Sequence, residues 1–192
     1  SGTLKDALQN LAGDDFKLQI EDALACYRAL RAGHEVIIGG DSAGGALALA
    51  LLHEILAQGL APPRGVFALS PLTDMTFSGG SITENAARDV VLSPGRIGEM
   101  REMFLAGQPP DDPRASPLRG DYTGAPPVWM AAGDTEILRD DALRMQALLE
   151  AQGVTSLLRL ARDHPHVWPL FHNILPEAKA TLADLGAWIR AL

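Results

Sequence analysis

Apolar positions along the chain fall into two kinds of run. From Leu18 to Arg31, LQIEDALACYRALR, they recur at helical spacing, and Gly33 follows as a C-terminal stop. Ala46 to Gln58 is long, rich in Ala and Leu and free of Gly and Pro, so it also reads as helix. Arg96 to Ala106, Asp140 to Gln152 and Pro176 to Leu192 complete the helical set, the last opening on a proline that suits a first turn. Between them lie short continuous apolar runs, Glu35 to Gly39, Gly65 to Leu69, Val128 to Ala132 and Ser156 to Leu160. Runs of this length predict strands buried on both faces. Strands alternating with helices predict a parallel sheet covered on both sides, a three-layer αβα domain of the α/β class. Residues 71–126, with Pro and Gly scattered through them, read as an insertion between the second and third strands.

Composition narrows the picture. A chain of 192 residues that is 47% hydrophobic suits one domain with a sizeable core. The formal net charge of -8, with no basic cluster to offset it locally, excludes nucleic acid as an expected partner. Cys26 is the only cysteine, which rules out an internal disulfide or a cysteine-built zinc site; it reads as a core filler in a reducing compartment. The opening SGTLKDALQN has no apolar export core, and no uninterrupted apolar run approaches a membrane span. The expectation is a soluble, cytoplasmic chain without a transmembrane segment.

Chemistry enters at the turn between the first strand and the helix after it. The stretch GGDSAGG, residues 39–45, contains the G-x-S-x-G pattern Gly40-Asp41-Ser42-Ala43-Gly44. A serine held on a tight strand-to-helix turn needs small neighbours, because the turn is strained and the backbone must approach a substrate. A Gly-rich turn for phosphate is the competing reading. It is the weaker one, since the dinucleotide pattern is absent here and the phosphate-loop lysine is missing. A serine hydroxyl also needs a base, and the base needs a carboxylate to orient it. Gly133-Asp134-Thr135-Glu136 follows the third predicted strand, and Asp163-His164-Pro165-His166-Val167-Trp168-Pro169 follows the fourth. Serine, acid and histidine thus occur in the order used by α/β-hydrolases.

With these segments in hand, the sequence resembles the bacterial hormone-sensitive-lipase-like esterases, a branch of the α/β-hydrolases, from about Ile20 to the C-terminus. The carriers are GGDSAGGALALALL, LSPLTDMT, DPRASPL, GDTEILRDDA and DHPHVWP. The resemblance implies a carboxylic ester hydrolase acting on small or short-chain acyl esters, without metal or cofactor; the alternative is a catalytically impaired fragment or a non-catalytic α/β module. It implies Ser42 as nucleophile, His166 as general base and acid, and Glu136 as the orienting carboxylate, with Asp134 as the alternative acid. Gly40, Asp41, Ala43 and Gly44 would form the nucleophile turn, and the Ala43 N–H part of the oxyanion hole. His166 is preferred to His164 because the family pattern begins at HVWP. His34, His53 and His172 read as helix-boundary or surface residues. LSPLTDMT and DPRASPL are turn-rich and receive no catalytic role. Val167, Trp168 and the insertion between Met75 and Phe104 are the candidates for shaping a substrate pocket.

The same family carries a His-Gly-Gly-Gly stretch ahead of its serine, and no HGG occurs in this sequence. The resemblance therefore implies a partial hydrolase domain at 18–192, lacking the N-terminal strands and most of the cap, after a segment of unassigned origin at 1–17. An open sheet edge of this kind predicts self-association or pairing with an N-terminal fragment.

Overall fold

The computed structural model describes residues 15–192, so most of the N-terminal segment at 1–17 lies outside the described residues. Helix α1 (Asp15–Arg31) begins earlier than its apolar periodicity suggests. The reason is tertiary: Phe16 is buried and stacks on Phe104 with ring centroids 5.7 Å apart. Leu24 and Tyr27 of α1 pack on Leu51 and Ile55 of helix α2 (Ala43–Ala57). Helical spacing that turns Leu24 and Tyr27 inward turns Cys26 outward. The expected core filler is in fact exposed.

Strand β1 spans Ile37–Asp41, two residues beyond the expected run. Pairing decides this: Ile37 is in register with Gly65, while Glu35 points to solvent and meets Arg64 at 2.7 Å. Helix α2 then starts directly after Ser42, so Gly44 and Gly45 occupy its first turn. Strands β2 (Gly65–Leu69), β3 (Val128–Gly133) and β4 (Ser156–Ala161) follow, and the four strands form one parallel sheet in the order β1-β2-β3-β4. Among the described residues the remaining α-helices are α3 (Ser81–Glu84), α4 (Ile97–Leu105), α5 (Arg139–Ala151) and α6 (Pro176–Ala191).

Strand alternation assigns the two faces of the sheet. Val66, Ala68, Val128 and Met130 pack with Leu49 and Leu52 of α2 and Met145 and Leu149 of α5. Leu69, Trp129 and Ala131 face the other way, against Ala178 and Leu185 of α6 and the loop residues Val167 and Trp168. Leu49 and Leu52 are fully buried, so truncating either to Ala costs about 2–5 kcal/mol. Register also aligns the strand ends, with Asp41 opposite Leu69, Leu69 opposite Ala131, and Gly133 opposite Ala161. The loops that leave those ends converge on one rim of the sheet.

Candidate active site

Ser42 sits where β1 gives way to α2, with φ 51° and ψ -119°. That is a strained conformation for a residue with a side chain, and strain of this kind marks functional turns. The turn closes because Gly40 has no Cβ; one placed there would collide with the carbonyl of Gly44. Three backbone hydrogen bonds fix it: Ser42 N–H donates to Leu69 O at 2.8 Å, and Ser42 O accepts from Ala46 N at 3.1 Å and Leu72 N at 3.2 Å. A serine at a helix N-cap ordinarily turns its hydroxyl onto the first-turn amides. Here the Ser42 hydroxyl makes no such bond and lies 2.9 Å from His166 Nε2. The opening amides of α2, Ala43 first among them, have no acceptor within the helix.

On its other side the imidazole meets Glu136, whose Oε2 is 2.8 Å from His166 Nδ1. A proton on Nδ1 donates to the carboxylate and leaves Nε2 free to accept from the serine hydroxyl. Glu136 is fully buried and His166 nearly so. A buried carboxylate needs its lone pairs filled, and Glu136 Oε1 accepts from Ser70 Oγ at 2.8 Å and from Gly133 N–H. Ser70 in turn accepts from the Val167 N–H at 3.0 Å, next to the imidazole. It ties the acid to the histidine loop, and sequence reasoning missed it. Its signal was its place in LSPLTDMT at the end of β2, a segment read as turn chemistry alone.

The acid loop and the histidine loop are laced together along their length. Asp134 Oδ1 accepts from the Asp163 N–H at 2.8 Å, and Thr135 Oγ1 donates to His164 O at 2.6 Å. Asn85 Nδ2 donates to the carbonyls of Asp134 at 2.9 Å and Glu136 at 2.7 Å. A Cβ at Gly133 would strike His164 O, so glycine permits this close approach. The Asp134 carboxylate thus faces the backbone of the histidine loop, while Glu136 faces the ring. His164 Nδ1 lies 2.6 Å from Arg162 O, and its ring stands edge-on to Trp168. His34 and His172 are exposed, and His53 on α2 contacts the Asp121 backbone. Asp41 is exposed at the strand end.

Of the candidates for shaping a substrate pocket, the insertion between Met75 and Phe104 lies beside the serine, whereas Val167 and Trp168 lie elsewhere. Both are buried in the core against α6, where they support the histidine loop from behind. The space beside the serine opens toward the insertion, as a cavity of about 210 Å³ lined by Leu72, Phe77, Ile97, Met100 and Leu138 and reaching Ser42 and Ala43. No group of three or more His, Cys, Asp or Glu side chains among the described residues is arranged to hold a metal. No helix among the described residues is long and apolar enough to cross a membrane.

Known proteins share this architecture. Residues 13–170 match the family model described as alpha/beta hydrolase fold. The chain is 35% identical over 179 residues to an acetyl-hydrolase of Streptomyces hygroscopicus, an alignment covering 91% of this chain and 60% of that protein. An esterase of Acinetobacter venetianus is 34% identical over 159 residues, covering 82% of this chain and 52% of that protein. Among solved structures, an esterase from the bacterial hormone-sensitive lipase family superposes with a TM-score of 0.87 at 39% identity, covering 90% of this chain and 59% of that one. The chain thus spans roughly 52–60% of the length of these relatives. With a parallel sheet, a strained serine turn and this breadth of similarity, the chain belongs to the alpha/beta hydrolase fold family, on its bacterial hormone-sensitive-lipase-like branch.

Proposed function

We propose that this chain hydrolyses small, short-chain carboxylic esters through an acyl-enzyme on Ser42. The observation that carries the reading is the unbroken line from Ser42 Oγ through His166 to Glu136, with links of 2.9 and 2.8 Å. In this reading Ser42 Oγ attacks the ester carbonyl as His166 Nε2 takes its proton. Glu136 holds the imidazole in the required tautomer and balances the imidazolium. The Ala43 N–H receives charge on the carbonyl oxygen, a contribution worth about 3 kcal/mol per well-placed donor. Collapse expels the alcohol, protonated by His166. Water, activated by the same ring, then releases the acid and restores Ser42.

The relatives' names, an acetyl-hydrolase and an esterase, agree with this chemistry. The test joins labelling to turnover. A fluorophosphonate probe is expected to modify the peptide containing Ser42, and Ser42→Ala is expected to lower p-nitrophenyl butyrate hydrolysis by about a thousandfold or more with unchanged thermal unfolding. Turnover retained in Ser42→Ala, or an intact unlabelled wild-type chain that hydrolyses no ester, overturns the reading.

A further inference from the structure

A second apolar cavity of about 320 Å³ lies beside the one that reaches Ser42. Its far walls come from Gln19, Met75, Met103 and Phe104, and it does not touch Ser42. The two cavities share Ala43, Leu72, Phe77 and Met100. Of these, Phe77 and Met100 carry long side chains on different elements, the turn after β2 and helix α4.

Phe77 has φ 51°, an outlier for a bulky residue. Such a conformation persists when its surroundings over-determine it, and the turn around Phe77 is pinned unusually well. The Phe77 N–H donates to Asp74 O at 3.0 Å. The buried Asp74 carboxylate accepts from Thr76 N–H at 2.9 Å and Ser78 Oγ at 2.6 Å, and it meets Arg144 of α5 at 2.8 Å. A charged staple reaching to another helix therefore fixes the backbone from which the Phe77 ring projects. Nothing in the catalytic line uses that ring.

We propose that Phe77 and Met100 form a partition between the two cavities and set the acyl-length cut-off of the enzyme. This rests on the ester-hydrolase reading and adds its selectivity. The cavity at Ser42 is the smaller of the two, so it accepts a short acyl chain. A longer chain meets the partition. With the partition opened, the second cavity receives the remainder, in contact with the methionine side chains of the insertion, whose flexible thioethers adapt to an alkyl tail.

The experiment compares kcat/KM for p-nitrophenyl butyrate, octanoate and laurate in wild type, Phe77→Gly, Met100→Ala and Ser42→Ala. Glycine suits the positive φ at position 77, so Phe77→Gly removes the ring and relieves backbone strain together. Met100 is partly exposed on α4, and Met100→Ala preserves helix propensity. Wild type is expected to fall at least about tenfold between octanoate and laurate, and each opened variant to raise the laurate-to-butyrate ratio by at least about tenfold. A fold-stabilising role alone lowers all three esters together and leaves that ratio unchanged. If hydrolysis depends on Ser42 but the ratio stays at its wild-type value in both folded variants, the partition is overturned and the ester reading stands. If no ester is hydrolysed in a Ser42-dependent way, the ester reading and the selectivity resting on it both fail.

Discussion

Glu136 and Asp141 lie five residues apart in one segment, and both are wholly buried. Their surroundings differ in kind. Glu136 has one oxygen held by Ser70 and Gly133 and the other turned to an imidazole that opens onto Ser42. Asp141 has one oxygen held by the amides of Thr73, at 2.7 Å, and Asp74, at 2.9 Å, while Oδ1 has no hydrogen-bond partner among the described residues. Burial pushes the Asp141 carboxyl up to about 7, although the two amides oppose it. Burial also works on the neighbouring Asp74, but Ser78, Thr76 and Arg144 outweigh it and hold that carboxyl well below the usual range. A buried acid near an active site is thus not catalytic by virtue of burial. One of these is bonded to an imidazole that meets the Ser42 hydroxyl; the other clamps the start of α5 to the loop after β2.

The sharpest way to break the comparison is to remove the charge from the Glu136 side. Glu136→Gln is expected to lower kcat by about 10²–10⁴ with the fold retained, because an amide neither fixes the His166 tautomer nor balances its charge. Asp134→Asn is expected to cost less, since Asp134 bonds the Asp163 backbone. Steady-state kinetics of the two variants decide the matter, and the reverse ranking moves the acid to Asp134.

Ser70→Ala tests the support of Glu136. It removes a donor to the acid and an acceptor for the Val167 N–H, leaving a buried amide unpaired. A loss of about 1–3 kcal/mol is expected, shared between stability and activity. Ser70→Cys, which keeps an unbranched side chain with a weaker donor at this positive φ, is expected to recover part of the kcat. Equal activity in wild type and Ser70→Ala shows that the acid needs no such strut.

The smallest effect on activity belongs to Asp141, whose expected influence is on stability. Its folded-state pKa lies above the ordinary carboxylate value of 3.8, so its contribution to stability is fully present below that value and is lost as pH rises through about 7. Asp74 has the opposite sign, contributing above 3.8 and losing it as pH falls further. Across the window between 3.8 and about 7, Asp141→Asn is expected to remove a downward stability slope of at most about 1.4 kcal/mol per pH unit. Thermal melts at stepped pH measure it. Hydrolysis at fixed pH by the folded variant is expected to stay near wild type; a collapse in kcat places Asp141 in the chemistry.

Much of this protein is legible in local pattern. Four short apolar runs and the helices between them specify a parallel αβα sheet, but the expected burial on both faces holds for the central β2 and β3 and not for the edge strands β1 and β4, which are partly exposed because each has a neighbour on one side only. The serine turn is equally local: Gly40, Ser42 and Gly44 are adjacent in sequence, and the absence of a side chain at Gly40 is what lets the turn close. Pairing partners and cavities are a different matter. Ile37 against Gly65 shifted β1, and Phe16 against Phe104 extended α1. Ser42 and His166 are 124 positions apart, and Ser70 and Val167 are 97 apart. Asp134 and Glu136 are separated by a single residue. Their different partners follow from where the end of β3 sets the loop against the turn after β4. Val167 and Trp168 look equally suited to a pocket or a core, and the packing of α6 takes them into the core. Local sequence determines which elements form and which chemistry they carry. The order in which strands pair, and the volume left between the loops they hold, arise when distant segments compete for the same buried space, and that competition exists only in the folded chain.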